Sequence, residues 1–161
     1  MSKENADKEQ KRSFKREAFS WIACIVVTIL LTEFILNFVI INANIPSGSM
    51  ENTIMTNDKL IALRTSYWFN DPKRGDIIIF KYPDDETEWF IKRVIALPGE
   101  TVLVKDGKVY INGSKKALSE PYIKEEPVED FGPYKVPKNG YFVMGDNRNN
   151  SNDPREWETQ Y

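Results

Sequence analysis

Histidine is absent from this chain of 161 residues, and cysteine occurs once, as Cys24. Without histidine the chain cannot build a Ser-His-Asp triad, a Cys-His pair or a histidine-ligated metal site. A single cysteine excludes an intrachain disulfide, a CxxC pair and a cysteine-rich zinc site. We therefore expect no metal and no cofactor, and any catalysis has to use serine, threonine, lysine, tyrosine or carboxylate side chains.

The chain also lacks an excess of positive charge. Its 22 lysine and arginine residues are outnumbered by 24 aspartate and glutamate residues, which gives a net charge of −2. Proteins that bind nucleic acid through phosphate contacts normally carry a basic surface. We therefore expect no nucleic-acid partner.

One segment has almost no charge at all. Phe19 to Ile41 reads FSWIACIVVTILLTEFILNFVII, and Glu33 is its one charged residue. As a helix this segment would extend roughly 34 Å, enough to cross a ~30 Å hydrocarbon layer. Its apolar core is longer than that of a cleaved signal peptide, so we predict an uncleaved transmembrane anchor. An acidic residue in a membrane is a candidate functional site, but a single tolerated carboxyl is the favoured explanation of Glu33.

The basic residues predict the topology. Residues 1–18 contain six lysine or arginine residues, whereas the first twenty residues after the anchor contain one, Lys59. By the positive-inside rule, residues 1–18 form a cytoplasmic tail and residues 42–161 lie outside the cytoplasm. The sequence therefore predicts a single-pass protein of the cell membrane. Lipid is an expected partner, because the aromatic run Tyr67 to Phe69 could contact headgroups, although it could also pack in the core.

The segment after the anchor carries β signals and no useful helical periodicity. Short apolar or alternating runs, separated by glycine and proline, occupy residues 59–63, 76–82, 89–96, 101–111 and 140–144. Asp106-Gly107 stands between two alternating runs and predicts a two-residue hairpin. The acidic, proline-bearing residues 115–138 are interpreted as a surface excursion. The predicted fold is mainly β, with antiparallel strands in a barrel-like or folded-sheet arrangement after one transmembrane helix.

Three polar elements could carry chemistry. Ser47 to Met50, SGSM, follows the anchor directly, although serine and glycine also mark ordinary linkers. In the run 89–96, alternation places Lys92 on one face and Arg93 on the other, so one of them shares a face with apolar neighbours. An edge strand whose basic side chain reaches water would explain this as well. The third element, GDNRNNSNDPR at residues 145–155, could equally be a solvated loop.

A buried lysine would supply the base that histidine cannot. Free lysine has a pKa of about 10.4 and is a cation at neutral pH. Burial disfavours the cation and can lower the pKa by ~3–5. The neutral amine could then accept the proton of a serine hydroxyl. A Ser-Lys dyad is therefore the simplest route to an activated serine in this chain.

Four motifs in this order, behind an N-terminal anchor, resemble those of the bacterial type I signal peptidases, also called leader peptidases. The motifs are IPSGSMENT at 45–53, RGDIIIFKYP at 74–83, IKRVIALPGE at 91–100 and GDNRNNSNDPR at 145–155. The resemblance implies a membrane-anchored serine endopeptidase. It would remove signal peptides from exported preproteins, after an Ala-x-Ala-like site, through a Ser-Lys dyad and an acyl-enzyme.

The same resemblance implies roles for individual residues. Ser49 would be the nucleophile and Lys92 the general base, while Ser47 would contribute to the oxyanion hole and Ser151 would position the lysine amine. Four charged residues, which could also pair with one another, would support the site: Asp146, Arg148, Asp153 and Arg155. Five residues fall where the family lines its small apolar substrate pockets: Ile45, Pro46, Ile54, Phe90 and Ile91.

The chain departs from the family pattern in three places. Asn52 stands where proline is usual, and Pro154 stands where serine is usual. The family also normally continues by about another strand past the position of Tyr161, so we expect a C-terminally short catalytic domain. These departures leave a second function open, that of an inactive member that binds preproteins or assists assembly at the membrane. Loss of Ser49 or Lys92 would favour it, and both residues are present.

Overall fold

The computed structural model describes residues 3–158, with side chains from residue 14 onward. The chain divides into two compact units. One unit contains the N-terminal helix together with residues 63–65, and the other contains residues 42–62 and the remainder of the chain.

The N-terminal helix α1 spans Lys3–Phe34 and continues as a π-helical turn over Ile35–Val39. Within it, the 26 residues Phe14–Val39 are apolar enough to cross a membrane, and their length of about 39 Å suffices. The helix begins before the predicted Phe19, because lysine, glutamate, glutamine and alanine in the preceding segment are good helix formers. It ends two residues before the predicted Ile41, where the backbone becomes extended.

The described part of the chain contains eight strands, and the sheets whose pairing is resolved are antiparallel, as predicted. Three sheets form, in the strand orders β1-β2, β3-β4-β8 and β6-β5-β7. The strands are β1 Ile40–Asn44, β2 Lys59–Leu63, β3 Ile77–Lys81, β4 Trp89–Ala96, β5 Thr101–Lys105, β6 Lys108–Ile111, β7 Phe131–Lys135 and β8 Phe142–Met144.

Strand β4 is the central strand of its sheet, and this position decides the environment of its basic residues. Lys92 lies opposite Ile78 of β3, and Arg93 lies opposite Met144 of β8. Both faces of β4 are covered, so Lys92 is 4% exposed and Arg93 is 9% exposed. The alternative of an edge strand with a solvated basic residue is therefore wrong for this segment.

The hairpin predicted at Asp106-Gly107 joins β5 to β6, with φ angles of 50° and 74° at the two turn residues. Positive φ at both positions is the geometry that favours Asp-Gly in two-residue hairpins. Strand β7 was not predicted, because it lies in the excursion 115–138 and contains Gly132 and Pro133, which argue against a strand. It pairs with β5 across a register irregularity that accommodates these two residues.

The main hydrophobic core lies where β4 and β8 meet the β6-β5-β7 sheet. Its fully buried members include Ile95, Val102, Val104 and Phe142. Two smaller clusters flank the β3-β4-β8 sheet, one around Met50 and one around Val94 and Trp157. These clusters position the polar residues described next.

Candidate active site

Ser49 lies in a tight turn that directly follows β1. Backbone hydrogen bonds of 3.1 Å from Glu51 N to Gly48 O and from Thr53 N to Met50 O close this turn. Met50 is fully buried against Ile45 and Ile54, which holds the turn on the domain. The Ser49 side chain is thereby fixed in a buried position, with 6% of the residue exposed.

Lys92 and Ser49 are in hydrogen-bond contact. Lys92 Nζ donates a hydrogen bond of 2.8 Å to Ser49 Oγ, although the residues are 43 positions apart. Burial lowers the pKa of Lys92 from 10.5 to about 8, with Asp153 opposing and Arg155 reinforcing the shift. With this pKa roughly a tenth of the amine is neutral at pH 7, and that fraction can accept a proton.

An aromatic cluster covers the face of the sheet that carries Lys92. Lys92 Nζ lies 5.3 Å from the centre of the Phe90 ring. Phe90 stacks on Tyr82 with ring centres 4.4 Å apart, and Trp157 packs edge-on against Phe90 at 6.1 Å. These rings exclude water from that side of the lysine. Sequence reasoning missed Trp157, because an isolated tryptophan just beyond the last motif has no periodicity that would place it.

The last motif packs directly against the Ser49 turn. Asn147 donates its backbone N–H to Ser49 O at 3.0 Å and its side-chain amide to Gly48 O at 3.0 Å. A side chain on Gly145 would collide with Ser49 O and with Ser151 Oγ. Gly145 is therefore required for this close approach, and Asn147 is a second residue that the sequence analysis missed.

Ser151 is buried beside Gly145. Among the described residues its hydroxyl oxygen has no hydrogen-bond partner. The hydrogen bond expected between Ser151 and the Lys92 amine is therefore not formed in this structure. The proposed positioning of Lys92 by Ser151 stays a prediction.

The four charged residues of the last motif are all well shielded, but they do not simply pair with one another. Asp153 and Arg155 do form an ion pair, with 2.8 Å from Arg155 Nε to Asp153 Oδ1. Arg155 also donates to Arg148 O at 2.6 Å. Asp153 accepts from Gly145 N at 3.2 Å, so this pair braces the loop that carries the motif.

Asp146 and Arg148 bind partners outside the motif, which corrects the pairing expected for them. Arg93 donates two hydrogen bonds to Asp146, of 2.8 Å and 2.6 Å, and Arg148 donates two to Glu120, of 3.0 Å and 2.6 Å. Thr53 also donates to Asp146, at 2.5 Å. Arg93 and Arg148 bind these carboxylates because the fold brings distant segments of the chain together. The local pattern of charges does not indicate such long-range pairs.

The predicted substrate-binding residues fall into separate places. Ile45, Ile54 and Ile91 lie together in one apolar cluster beside the Ser49 turn. Pro46 is exposed, as is Ser47 of the predicted oxyanion hole. Phe90 lies on the opposite face of β4, in the aromatic cluster with Trp157. The structure therefore groups three of the five residues and assigns Phe90 to the surroundings of Lys92.

Both substitutions relative to the family pattern have a structural basis. Asn52 has a φ of 89°, which asparagine tolerates and which a proline ring cannot adopt. Pro154 occupies the second position of a turn that Glu156 N closes on Asp153 O at 2.8 Å. Aspartate at the first position and proline at the second are preferred residues of such turns. Neither substitution disturbs the contact between Ser49 and Lys92.

Comparison with known families gives one match that covers most of the chain. The family described as signal peptidase, peptidase S26, matches residues 18–159. The chain is 45% identical over 137 residues to a probable signal peptidase I-2 of Synechocystis sp.. That alignment covers 82% of this chain and 62% of the relative, so the chain spans less than two thirds of that relative's length.

Other relatives are covered more fully. The chain is 46% identical to a signal peptidase I of Leptolyngbya laminosa, over 84% of this chain and 70% of the relative. It is 37% identical to a signal peptidase I of Bacillus amyloliquefaciens, over 91% of this chain and 82% of the relative. A crystal structure of a signal peptidase I from Enterococcus faecalis V583 aligns with a TM-score of 0.47 and 38% identity, over 53% of this chain and 86% of that one.

Proposed function

The chain belongs to the signal peptidase family, peptidase S26, and on that premise we propose that it is a membrane-anchored serine endopeptidase that removes signal peptides from exported preproteins. The observation that carries the proposal is the 2.8 Å hydrogen bond between Lys92 Nζ and Ser49 Oγ, with both residues buried. A lysine whose pKa is lowered to about 8 is a competent base for a serine hydroxyl.

The proposed reaction has two stages. Neutral Lys92 accepts the Ser49 hydroxyl proton while Oγ attacks the carbonyl carbon of the scissile peptide bond. Lys92 then passes the proton to the leaving amine, which leaves an acyl-enzyme on Ser49. In the second stage Lys92 takes a proton from water, the resulting hydroxide attacks the acyl group, and the proton returns to Ser49 Oγ.

The negative oxygen of each tetrahedral intermediate requires hydrogen-bond donors. We assign this role to the backbone N–H of Ser49 and the exposed hydroxyl of Ser47, two residues earlier. A single donor of this kind typically contributes about 3–4 kcal/mol to transition-state stabilisation. Asp146, Arg148, Asp153 and Arg155 act at a distance, because their ion pairs fix the loop on which the Ser49 turn rests.

Small residues in the substrate are selected by the apolar surface beside the nucleophile. Ile45, Ile54 and Ile91 pack together with Met50 in one apolar cluster, and we propose that the substrate pockets on this surface are shallow. Shallow pockets admit alanine and reject larger side chains by steric exclusion. This supports cleavage after an Ala-x-Ala-like site, with an extended substrate that pairs along a strand edge.

The apolar part of the N-terminal helix is proposed to anchor the enzyme in the cell membrane, with residues 1–18 in the cytoplasm. Ser49 follows this helix by ten residues along the chain. Trp68 and Phe69, exposed by 60% and 89%, are suited to contact lipid headgroups. An anchored enzyme and an anchored substrate meet at high effective concentration.

The test is cleavage of a preprotein by the purified full chain in detergent or vesicles, with the product's new N-terminus identified by mass spectrometry. Wild type should cleave after an alanine, and Ser49→Ala and Lys92→Ala should each abolish cleavage. Replacing that alanine of the substrate with phenylalanine should block the reaction. Retained cleavage in either enzyme variant would reject the assignment of the dyad.

A further inference from the structure

Residues 120–124, here named the brace, contact each of the segments that build the Ser49–Lys92 pair. The Tyr122 ring lies 3.9 Å from the guanidinium carbon of Arg93 on β4. Lys124 N donates to Asp146 O at 3.1 Å in the last motif. Glu120 receives two hydrogen bonds from Arg148, so the brace is itself fixed by an ion pair that is at most 5% exposed on either side.

The third contact of the brace is with the Ser49 turn, through Asn52. The Asn52 amide Nδ2 donates to Tyr122 O at 3.0 Å and lies 3.5 Å from Ile123 O. Beside it, Lys124 Nζ binds Glu51 Oε2 at 2.8 Å. Both contacts are exposed. The ion pair joins two long side chains and contributes little, whereas the Asn52 amide binds a backbone carbonyl, so Asn52 is the specific link between the turn and the brace.

The opposite side of the same turn is bound by the last motif. Asn147 holds the carbonyl groups of Gly48 and Ser49, each at 3.0 Å. Ser49 therefore lies between two attachments, Asn147 on one side and Asn52 on the other. Asn52 makes its contact from a left-handed backbone conformation, φ 89°, which costs free energy for a residue other than glycine unless something stabilises it.

We propose that Asn52 is a positioning residue, which clamps the Ser49 turn to the brace and so holds Ser49 Oγ in line with Lys92 Nζ. This inference rests on the proposed peptidase function. We expect the clamp to act on the nucleophile and not on substrate binding, because the Asn52 amide binds the Tyr122 carbonyl of the brace, whereas Ile45 and Ile54 contribute to the apolar surface around Met50. A loosened clamp therefore lowers kcat and leaves KM nearly unchanged.

The test compares Asn52→Gly with Asn57→Gly in the full-length protein. Glycine accepts positive φ at both positions, so neither variant strains the backbone. Asn57, with φ 71°, is an exposed asparagine in the next turn, which makes it the matched control. Asn52→Gly should lower kcat about tenfold, as expected for a small misplacement of Ser49 Oγ. The kcat of Asn57→Gly should stay within about twofold of the wild-type value. Asn52→Asp, which keeps the shape but loses the donors, should resemble Asn52→Gly.

Hydrogen exchange of the peptide covering residues 48–54 gives a readout that does not need activity. The amides of Glu51 and Thr53, hydrogen-bonded within the turn, should exchange faster in Asn52→Gly than in Asn57→Gly. Equal kcat values for the two variants would overturn the proposal and leave the peptidase function intact. If wild type cleaves no preprotein, the peptidase function fails, and equal exchange rates in the two variants would then overturn the clamp as well.

Discussion

Lys92 and Arg93 are neighbours on the central strand β4, and their side chains leave it on opposite faces toward partners of opposite character. Lys92 reaches the neutral hydroxyl of Ser49, whereas Arg93 reaches the carboxylate of Asp146 through two hydrogen bonds. The buried guanidinium is thus compensated, while the buried amine is held where its charge is disfavoured. The environment of Arg93 therefore suits a role in stability, whereas that of Lys92 suits the proton transfer of the proposed mechanism.

Removal of the Arg93 guanidinium, which is paired with Asp146, should mainly lower the stability of the protein. Arg93→Ala leaves the Asp146 carboxylate, which is fully buried, without its counter-ion. Breaking a buried pair from one side typically costs about 3–5 kcal/mol. Arg74→Ala is the control, because its two hydrogen bonds to Glu100 join groups that are 28% and 19% exposed, and it should cost less. Thermal unfolding in detergent measures both, and equal losses would contradict the assignment.

Removal of the Lys92 ammonium, whose charge burial disfavours, should stabilise the protein. Because the pKa of Lys92 falls from 10.5 in the unfolded chain to about 8 in the folded one, the folded state disfavours the bound proton by about 3 kcal/mol. That penalty is complete below pH 8 and disappears as the pH rises toward 10.5. Lys92→Met should therefore raise the free energy of unfolding at pH 7, by up to about 3 kcal/mol.

The gain should shrink between pH 8 and pH 10.5, because wild type alone becomes more stable across that window. Unfolding curves of both proteins at pH 7 and pH 10 measure the difference. A stability gain that is the same at both pH values would show that Lys92→Met acts through packing and not through charge.

Gly145 should be intolerant of a side chain. A Cβ there meets the backbone oxygen of Ser49 and the hydroxyl of Ser151, so Gly145→Ala must displace the nucleophile turn. A displacement of about 1 Å can cost about 100-fold in rate. Gly48→Ala is the comparison, because its Cβ meets only the flexible end of Glu51, at 2.6 Å, and should cost much less. Steady-state cleavage rates decide, and a Gly145→Ala enzyme as active as Gly48→Ala would refute the close approach.

Trp157 should matter for its bulk and not for its indole N–H. Within the described residues Nε1 is buried without a hydrogen-bond partner, so Trp157→Phe loses no such bond and should change stability by less than about 1 kcal/mol. Trp157→Ala opens the aromatic cluster around Phe90 to water. The apparent pKa of the cleavage rate should then move from about 8 toward 10.4. An unchanged pH profile in Trp157→Ala would show that the cluster does not desolvate Lys92.

The local pattern was enough to predict the parts of the fold that local rules govern. Strand alternation predicts β4, and the Asp106-Gly107 pair predicts the β5–β6 hairpin. The absence of histidine indicates that a lysine such as Lys92 would have to serve as a base. Strand β7 escaped prediction because its glycine and proline are acceptable only at a register irregularity, which depends on the partner strand.

The charged partners could not be predicted for a related reason. Arg93 and Asp146 are 53 positions apart, and Arg148 and Glu120 are 28 apart. The nearest opposite charges along the sequence suggested pairs within the last motif, and this holds for Asp153 and Arg155 alone. Tertiary packing decides which distant carboxylate each arginine binds. A charge pattern can therefore indicate which residues belong to a site, but not which of them pair.

The pH dependence of kcat/KM for preprotein cleavage tests most directly whether Lys92 is the base. Only the neutral amine can take the Ser49 proton, so the rate should rise with pH and level off above an apparent pKa of about 8. Lys92→Met should remove the activity across the whole range. A rate that keeps rising to about pH 10.4, the value of a solvated lysine, or cleavage that survives in Lys92→Met, would contradict the account.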